Sequence, residues 1–289
     1  MTMIDLHLHS INSDGSDTPQ ELVSKAAAAG VSAIALTDHD TLDGVEDFLS
    51  ACRENGMTGI GGLEINVDAG EDQGEMHILG YGVDPCHPEV EKSLERIVNA
   101  RVQRNSQVVE KLDGLGLKLD WAKIEEQAGP GTVGRPHIAQ AMIERGYVAS
   151  VSEAFERYLA NGRPAYVDRY RMFPEEAIDM IRAAGGIAVL AHPFSWKSDE
   201  RDLGAGVRAL KALGLGGIEA YYSEYDSAQT VALVRLAMQL EFLITGGSDY
   251  HGLAKPDIVI GRGLGRLHVP DSCLPPLLEA LGADNKWRA

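Results

Sequence analysis

Short apolar runs recur along this 289-residue chain, and almost every one ends in a histidine or a carboxylate. The first run sets Ile4, Leu6 and Leu8 against Asp5, His7 and His9, an alternation with the period of a β-strand. Thr18-Pro19-Gln20-Glu21 then starts a helix, with Thr18 as N-cap, Pro19 at the first helical position and Glu21 closing a capping box; Gly30 ends it. Ala33–Leu36 reads as a second strand leading into Thr37-Asp38-His39-Asp40, followed by a helix over 42–54 and strands over Ile60–Val67 and His77–Val83. After an interruption the rhythm returns. A helix over Pro174–Ala184 precedes a strand over Ile187–Ala191 that ends in His192-Pro193. Helices over 203–213 and 227–240 flank a strand at Gly217–Tyr221, and a last strand, Phe242–Thr245, ends in GGSDYHG. About seven strands alternating with helices predict parallel βα units, in a chain long enough for one α/β barrel with an insertion.

The interruption reads as a long polar helix over 88–113 and short helices over 120–160. It predicts a barrel formed by 1–98 and 169–289 and a helical insertion, 99–168, covering the active site. The insertion holds nine basic and nine acidic residues, so the rest carries the whole net charge of −17. That balance excludes duplex DNA and anionic membranes as general partners, but not a small anion held by metal ions. No apolar run approaches the ~18–20 residues of a membrane span, and MTMIDLHLHS has neither the basic nor the apolar region of a secretory signal. Cys52, Cys86 and Cys273 form no CxxC and read as reduced thiols. The expectation is a cytoplasmic monomer, with DNKWRA at the end as a frayed tail.

The ligand-type residues cluster at strand ends: His7 and His9, Asp14 in the loop after them, His39, Glu64, His77, His192, Asp249 and His251. In a barrel those ends share one face, where sites of such folds lie. His7-x-His9 projects two imidazoles from one side of a strand toward one point, which suits a divalent metal. Six histidines and three carboxylates exceed the needs of one ion, so two or three ions with a bridging carboxylate are predicted. The set has no thiolate, which argues against structural zinc and suits Mn²⁺, Fe²⁺ or catalytic Zn²⁺. GGSDY is not a GxSxG elbow, GRGLGR and GLGLGG do not complete GxGxxG after a strand, and no P-loop is present.

The stretches DLHLHSINSDGS, LTDHDTLDG, GLEIN, HILGYG, VLAHP and GGSDYHG, spanning residues 5–252, resemble the PHP (polymerase and histidinol phosphatase) phosphoesterases. GRPHIAQAMIERGYV and AFERYLANGRPAYV resemble the nucleotide-acting subgroup. One branch of it removes the 3′-phosphate from nucleoside 3′,5′-bisphosphates; another trims 5′ ends of short RNA. The resemblance implies a distorted (β/α)7 TIM-like barrel and a trinuclear, usually manganese, site. His7, His9 and Asp249 would hold one ion, and Glu64 would bridge it to a second held by His77 and His192. Asp14, His39 and His251 would hold the third. It further implies in-line attack on phosphorus by a hydroxide bridging two ions, with Asp14, His39 and Asp249 as catalytic members of the set and a metal-bound water, Asp14 or Asp38 as alternative proton donors.

Arg135, which opens the Gly-Arg-Pro-His helix start, and His137 are the first candidates to hold the substrate's second phosphate. Arg169, Arg171 and Lys197 follow; Phe194 or Tyr221 would stack on a base. Glu219 and Tyr222 end the sixth strand, behind the ligands, while His87 and His268 lie outside any motif. The implied activity is a phosphomonoesterase that turns nucleoside 3′,5′-bisphosphates into 5′-monophosphates. The alternatives are a 5′→3′ exoribonuclease on short oligonucleotides and a histidinol-phosphate phosphatase. A metal-binding module without activity is disfavoured, because all nine ligands are present.

Overall fold

In the computed structural model, which describes residues 3–70, 74–128, 133–197 and 199–289 (without the side chains of residues 200 and 201), seven strands form one sheet in chain order. They are β1 (Met3–Leu8), β2 (Val31–Leu36), β3 (Thr58–Val67), β4 (Met76–Tyr81), β5 (Ile187–Ala191), β6 (Gly217–Tyr222) and β7 (Leu243–Gly247). The sheet curls back on itself: Leu8 bridges Tyr250 just past β7, and the Asp249 and His9 amides donate to the His7 and Tyr250 carbonyls, each at 3.0 Å. The result is a nearly closed, TIM-like barrel.

The helices in chain order are α1 (Pro19–Ala28), α2 (Val45–Glu54), α3 (Pro88–Gly114), α4 (Trp121–Ala128), α5 (Arg135–Glu144), α6 (Val151–Ala154), α7 (Pro174–Ala183), α8 (Glu200–Ala212), α9 (Ser227–Gln239) and α10 (Leu274–Leu281). The predicted capping box starts α1: Thr18 Oγ1 accepts from the Glu21 amide at 3.2 Å and Glu21 Oε2 from the Thr18 amide at 2.8 Å. Two compact units result, Met1–Ser93 with Arg171–Ala289, and Leu94–Tyr170. The first packs Ile4, Leu6, Leu79, Tyr81 and Val189 of the strands against Leu277 and Leu281 of α10, a helix the sequence reading did not anticipate. The second is built on Val108 and Leu112 of α3, Ile124 of α4, Ile138 and Met142 of α5, and Leu159. None of the described helices is long and apolar enough to cross a membrane.

Two expectations are corrected. The strands are not all parallel, because β4 runs antiparallel to both β3 and β5. Only residues 68–75 join β3 to β4, too few for the crossover that a parallel pair requires. The reversal matters for the site: it makes His77 the start of its strand yet sets it beside Asn66 and Ala191 at the ends of β3 and β5. The final residues, for their part, are not frayed. Gly59 and Ala289 exchange backbone hydrogen bonds (2.8 and 3.2 Å), and the Gly61 amide donates to the Trp287 carbonyl at 2.8 Å. Because β4 pairs only with Gly62–Val67, the first half of β3 has an open edge, and the tail fills it.

Removing Trp287–Ala289 deletes three backbone hydrogen bonds and uncovers that edge. It is expected to cost about 1–3 kcal/mol of stability, read as a lower midpoint of urea unfolding. An unchanged midpoint would show that the tail does not belong to the sheet.

Candidate metal centre

All nine predicted ligands meet at the barrel rim formed by the C-terminal ends of the parallel strands and the start of β4. Their ligand atoms fall into groups that each lie within 4.8 Å: His7, His9, Glu64 and Asp249; His9, Asp14, His39 and His251; and His39, Glu64 and His77. Glu64, 1% exposed in the second half of β3, joins them. Its Oε2 lies 3.2 Å from His7 Nε2, His9 Nε2 and His39 Nδ1, while Oε1 lies 2.8 Å from His77 Nδ1 and 2.9 Å from His192 Nε2. One carboxylate thus offers an oxygen to each of two clusters, the disposition a bridging ligand needs. Asp249 Oδ1 faces His9 Nε2 at 3.2 Å and His7 Nε2 at 3.5 Å.

The backbone delivers these groups at some strain. Asp249 (φ 56°) and His192 (φ 24°) adopt positive φ, which non-glycine residues rarely do. Tertiary hydrogen bonds hold both: the Asp249 amide to the His7 carbonyl at 3.0 Å, and the His192 amide to Glu219 Oε2 at 2.8 Å. Glycine permits two close approaches. A Cβ on Gly247 would sit 2.4 Å from His7 Cβ, and one on Gly15 would sit 2.3 Å from the His9 carbonyl oxygen. The latter lets the loop after β1 turn back so that Asp14 reaches His251 Nε2 at 3.2 Å.

Surrounding groups orient the ligands. Glu219 Oε1 lies 2.9 Å from His7 Nδ1, which aims Nε2 of that ring into the centre. Asp249 Oδ2 accepts from Tyr222 Oη at 2.9 Å and Lys255 Nζ at 2.6 Å, leaving Oδ1 for the site. Asp38 takes no direct part: buried, it accepts from the Ser10 amide and from the Ser10 and Ser13 hydroxyls (2.7, 2.5 and 2.5 Å), pinning the loop that carries Asp14. Asp5, also buried, accepts from the Ser248 and Gly261 amides at 2.8 and 2.7 Å, and burial pushes its carboxyl up to about 6. The sequence signalled Glu219, a lone carboxylate in an apolar strand. Lys255 lies on an irregular stretch and carried no signal.

The donor set fits divalent metals. Six imidazoles and three carboxylates share a pocket with no thiolate, and the buried Nδ1 atoms of His9 and His192 have no hydrogen-bond partner. Burial opposes charge on His9, but Asp249 and Glu64 outweigh it and push the ring up to about 9. His39 goes the other way, down to about 3, chiefly through burial. Glu64 and Asp249 are held well below the usual carboxylate range: their burial raises them, but neighbouring imidazoles, His39 and His77 for Glu64 and His7 and His9 for Asp249, outweigh it. The site opens on the side of Asp14 and His39, whose side chains are 45% and 18% exposed.

Comparison with known proteins agrees with this geometry. The family model for the PHP domain matches residues 5–110. The chain is 30% identical to the 3′,5′-nucleoside bisphosphate phosphatase of Chromobacterium violaceum, an alignment spanning 100% of this chain and 96% of that one. It belongs to the PHP phosphoesterase family. A 5′-3′ exoribonuclease of Haemophilus influenzae is 35% identical over 86% of this chain and 89% of its own. A candidate metal-dependent phosphoesterase from Bifidobacterium adolescentis superposes with a TM-score of 0.83 at 29% identity, covering 96% of both chains. The protein is therefore a metal-dependent phosphoester hydrolase.

The proposed substrate contacts are more scattered than the PHP ligands. Arg135 opens α5, with Nη1 donating to the Leu159 carbonyl at 3.3 Å. His137 serves its own helix, since its Nδ1 accepts from the Gly134 amide at 2.9 Å. Arg169 belongs to the helical unit and Arg171 to the barrel unit, just before Met172, which bridges Val67 at the end of β3. Phe194 follows His192, donates its amide to Tyr225 Oη at 2.9 Å and meets that ring edge-on at 5.3 Å. Tyr221 is half-buried, Lys197 stands beside the Trp196 ring, and His87 and His268 stay outside the metal groups.

Two outcomes follow for this PHP centre. Glu219→Gln is expected to weaken divalent-ion binding about 10–100-fold, measured by titration of metal-free protein, with its circular dichroism unchanged; undiminished affinity would show that Glu219 does not orient His7. Metal binding requires neutral imidazole, and His9 keeps its proton up to about pH 9 in the metal-free site. Loading at pH 7 is therefore expected to release protons, and metal affinity to rise with pH toward 9. Calorimetry in buffers of different ionisation enthalpy reads both, and a buffer-independent heat would contradict them.

Proposed function

We propose that this phosphoesterase removes the 3′-phosphate from nucleoside 3′,5′-bisphosphates, such as 3′-phosphoadenosine 5′-phosphate, to give the 5′-monophosphate. The supporting observation is the end-to-end similarity to the Chromobacterium violaceum bisphosphate phosphatase, which includes the part of the helical unit that follows the PHP domain match. The setting is a monomer in the cytoplasm, with two or three ions per chain, Mn²⁺ first and Fe²⁺ or Zn²⁺ as alternatives.

His7, His9, Glu64 and Asp249 would hold an ion in the buried part of the pocket, with Glu64 shared with one held by His77 and His192. Asp14, His39 and His251, together with His9, would hold one at the open side. Bound divalent ions lower the pKa of water and neutralise charge on phosphoryl oxygens. The chain's residues do the rest. His39 stays neutral near pH 7 and so remains a ligand. Asp14 is held well below the usual carboxylate range because His39 and His251 outweigh its burial, which makes it a ligand and not a proton donor. Asp38 is spent on Ser10 and Ser13, so water supplies the proton for the leaving oxygen. Arg135, His137, Arg169 and Arg171 hold the phosphate that is not cleaved, and Phe194 lies against the base.

A second reading rests on the exoribonuclease of Haemophilus influenzae, which is similar at higher identity over slightly less of the chain. Initial rates with Mn²⁺ on 3′-phosphoadenosine 5′-phosphate, a 5′-phosphorylated dinucleotide and an aryl phosphate separate the readings. The bisphosphate is expected to exceed the aryl phosphate at least ~100-fold in kcat/KM, as contacts from charged donors to a second phosphate would produce. Equal rates would overturn the proposal, and a faster dinucleotide would favour the exonuclease.

A further inference from the structure

An imidazole that ligates a metal through one ring nitrogen carries its proton on the other, and an acceptor for that proton fixes the ring. His7 has Glu219 Oε1 beside Nδ1 at 2.9 Å, and His251 has the Asp249 carbonyl beside Nδ1 at 2.9 Å. His77 and His192 are supported differently. Both face Glu64 Oε1, His77 through Nδ1 at 2.8 Å and His192 through Nε2 at 2.9 Å. The outward nitrogen of His192, Nδ1, is buried and has no hydrogen-bond partner. The outward nitrogen of His77, Nε2, lies 2.7 Å from the side-chain amide of Asn66. Among the described residues, Asn66 is thus the one side chain besides Glu64 that hydrogen-bonds either ring.

Strand pairing makes this contact. Asn66 and His77 stand directly opposite each other in the antiparallel pair of β3 and β4, where facing Cβ atoms lie about 4.5–5.5 Å apart. Asn66 follows Glu64 by two residues, so both side chains leave β3 on the same face. The chain just beyond is tied down: Val67 bridges Met172, and the Asp68 amide donates to the Met172 carbonyl at 2.8 Å. The amide supplies the chemistry. Its oxygen and its NH2 are nearly the same size, and only the oxygen can accept the proton that Nε2 holds when Nδ1 serves an ion. An aliphatic side chain there would leave that proton unmet and the ring free to turn.

We propose that Asn66 is the positioning residue for the ion on the Oε1 side of Glu64: its side-chain oxygen accepts the Nε2 proton of His77 and so makes Nδ1 the ligating nitrogen. This rests on the reading that an ion lies among Glu64, His77 and His192, and not on which ester is cleaved.

The test is calorimetric titration of the metal-free full chain with Mn²⁺. Asn66→Leu is expected to weaken one ion of the set about 10–100-fold and to leave the others little changed. Asn66→Asp, which keeps the shape and can only accept, should bind that ion at least as tightly as wild type. His192→Ala should weaken the same ion. If it weakens none, the reading of that ion and the proposal fall together; if it does so while Asn66→Leu weakens none, the proposal alone is overturned. The place of the proton is read by NMR of Zn²⁺-loaded protein carrying isotope-labelled histidine, with the His77 signals identified by their loss in His77→Gln. Wild type should show the proton on Nε2 and the metal on Nδ1, and the reverse would overturn the proposal. So would Asn66→Asp binding as weakly as Asn66→Leu, or equal weakening of every ion, which marks a general loosening of the site. Should Asn66→Leu fail to fold by circular dichroism, Asn66→Ala takes its place.

Discussion

A single buried carboxylate organises the centre. Glu64, in the second half of β3, faces His7, His9, His39, His77 and His192 within 3.2 Å, three rings on one oxygen and two on the other. A carboxylate out of water needs positive charge or hydrogen bonds around it, and six imbricated imidazoles repel unless negative charge or metal lies among them. Much of the surrounding architecture serves this meeting. The reversal of β4 brings His77 to the rim, and Gly247 lets β7 close onto His7. The positive φ of His192 and Asp249 is strain held by hydrogen bonds from their amides.

The centre is graded from dry to wet. Glu64, His7 and His9 are buried, and Glu219, Tyr222 and Lys255 hold ligands from behind. Asp14 and His39 stand at the opening. Buried ligands with fixed partners suit ions that stay; exposed ones suit a place where a phosphate ester must enter and leave. Charge is divided along the chain in a complementary way. The barrel sequence carries the acidic excess, whereas the electrically balanced insertion buries one arginine, Arg104, on the inward face of α3.

Much of this was legible in the residues. Period-2 alternation in MIDLHLHS, the capping box at Thr18 and the glycine after α1 mark their elements, because they depend only on neighbours in sequence. The nine side chains that meet at the rim were readable because histidine and carboxylate at the end of an apolar run have few other uses. What escaped has a common cause. The direction of β4, the docking of Trp287–Ala289 on β3 and the packing of α10 into the barrel depend on which edges and faces other elements leave open. Lys255 was invisible for the same reason: its partner, Asp249, is brought to it by the turn after β7. Arg104 and Asn105 sit in a helix that reads as polar all round, and only packing shows which side is inside.

The sequence by itself determined the βα rhythm, the inserted helical stretch and the identity of the histidines and carboxylates that gather at the rim, since periodicity and donor chemistry are local properties. Only the tertiary structure decided how Glu64 stands between two groups of imidazoles, which carboxylates face the centre and which tie loops, and which arginine of the insertion is buried. Those outcomes turn on distances between segments as far apart as His7 and Asp249, and on burial, which changes the charge of a side chain without changing its name.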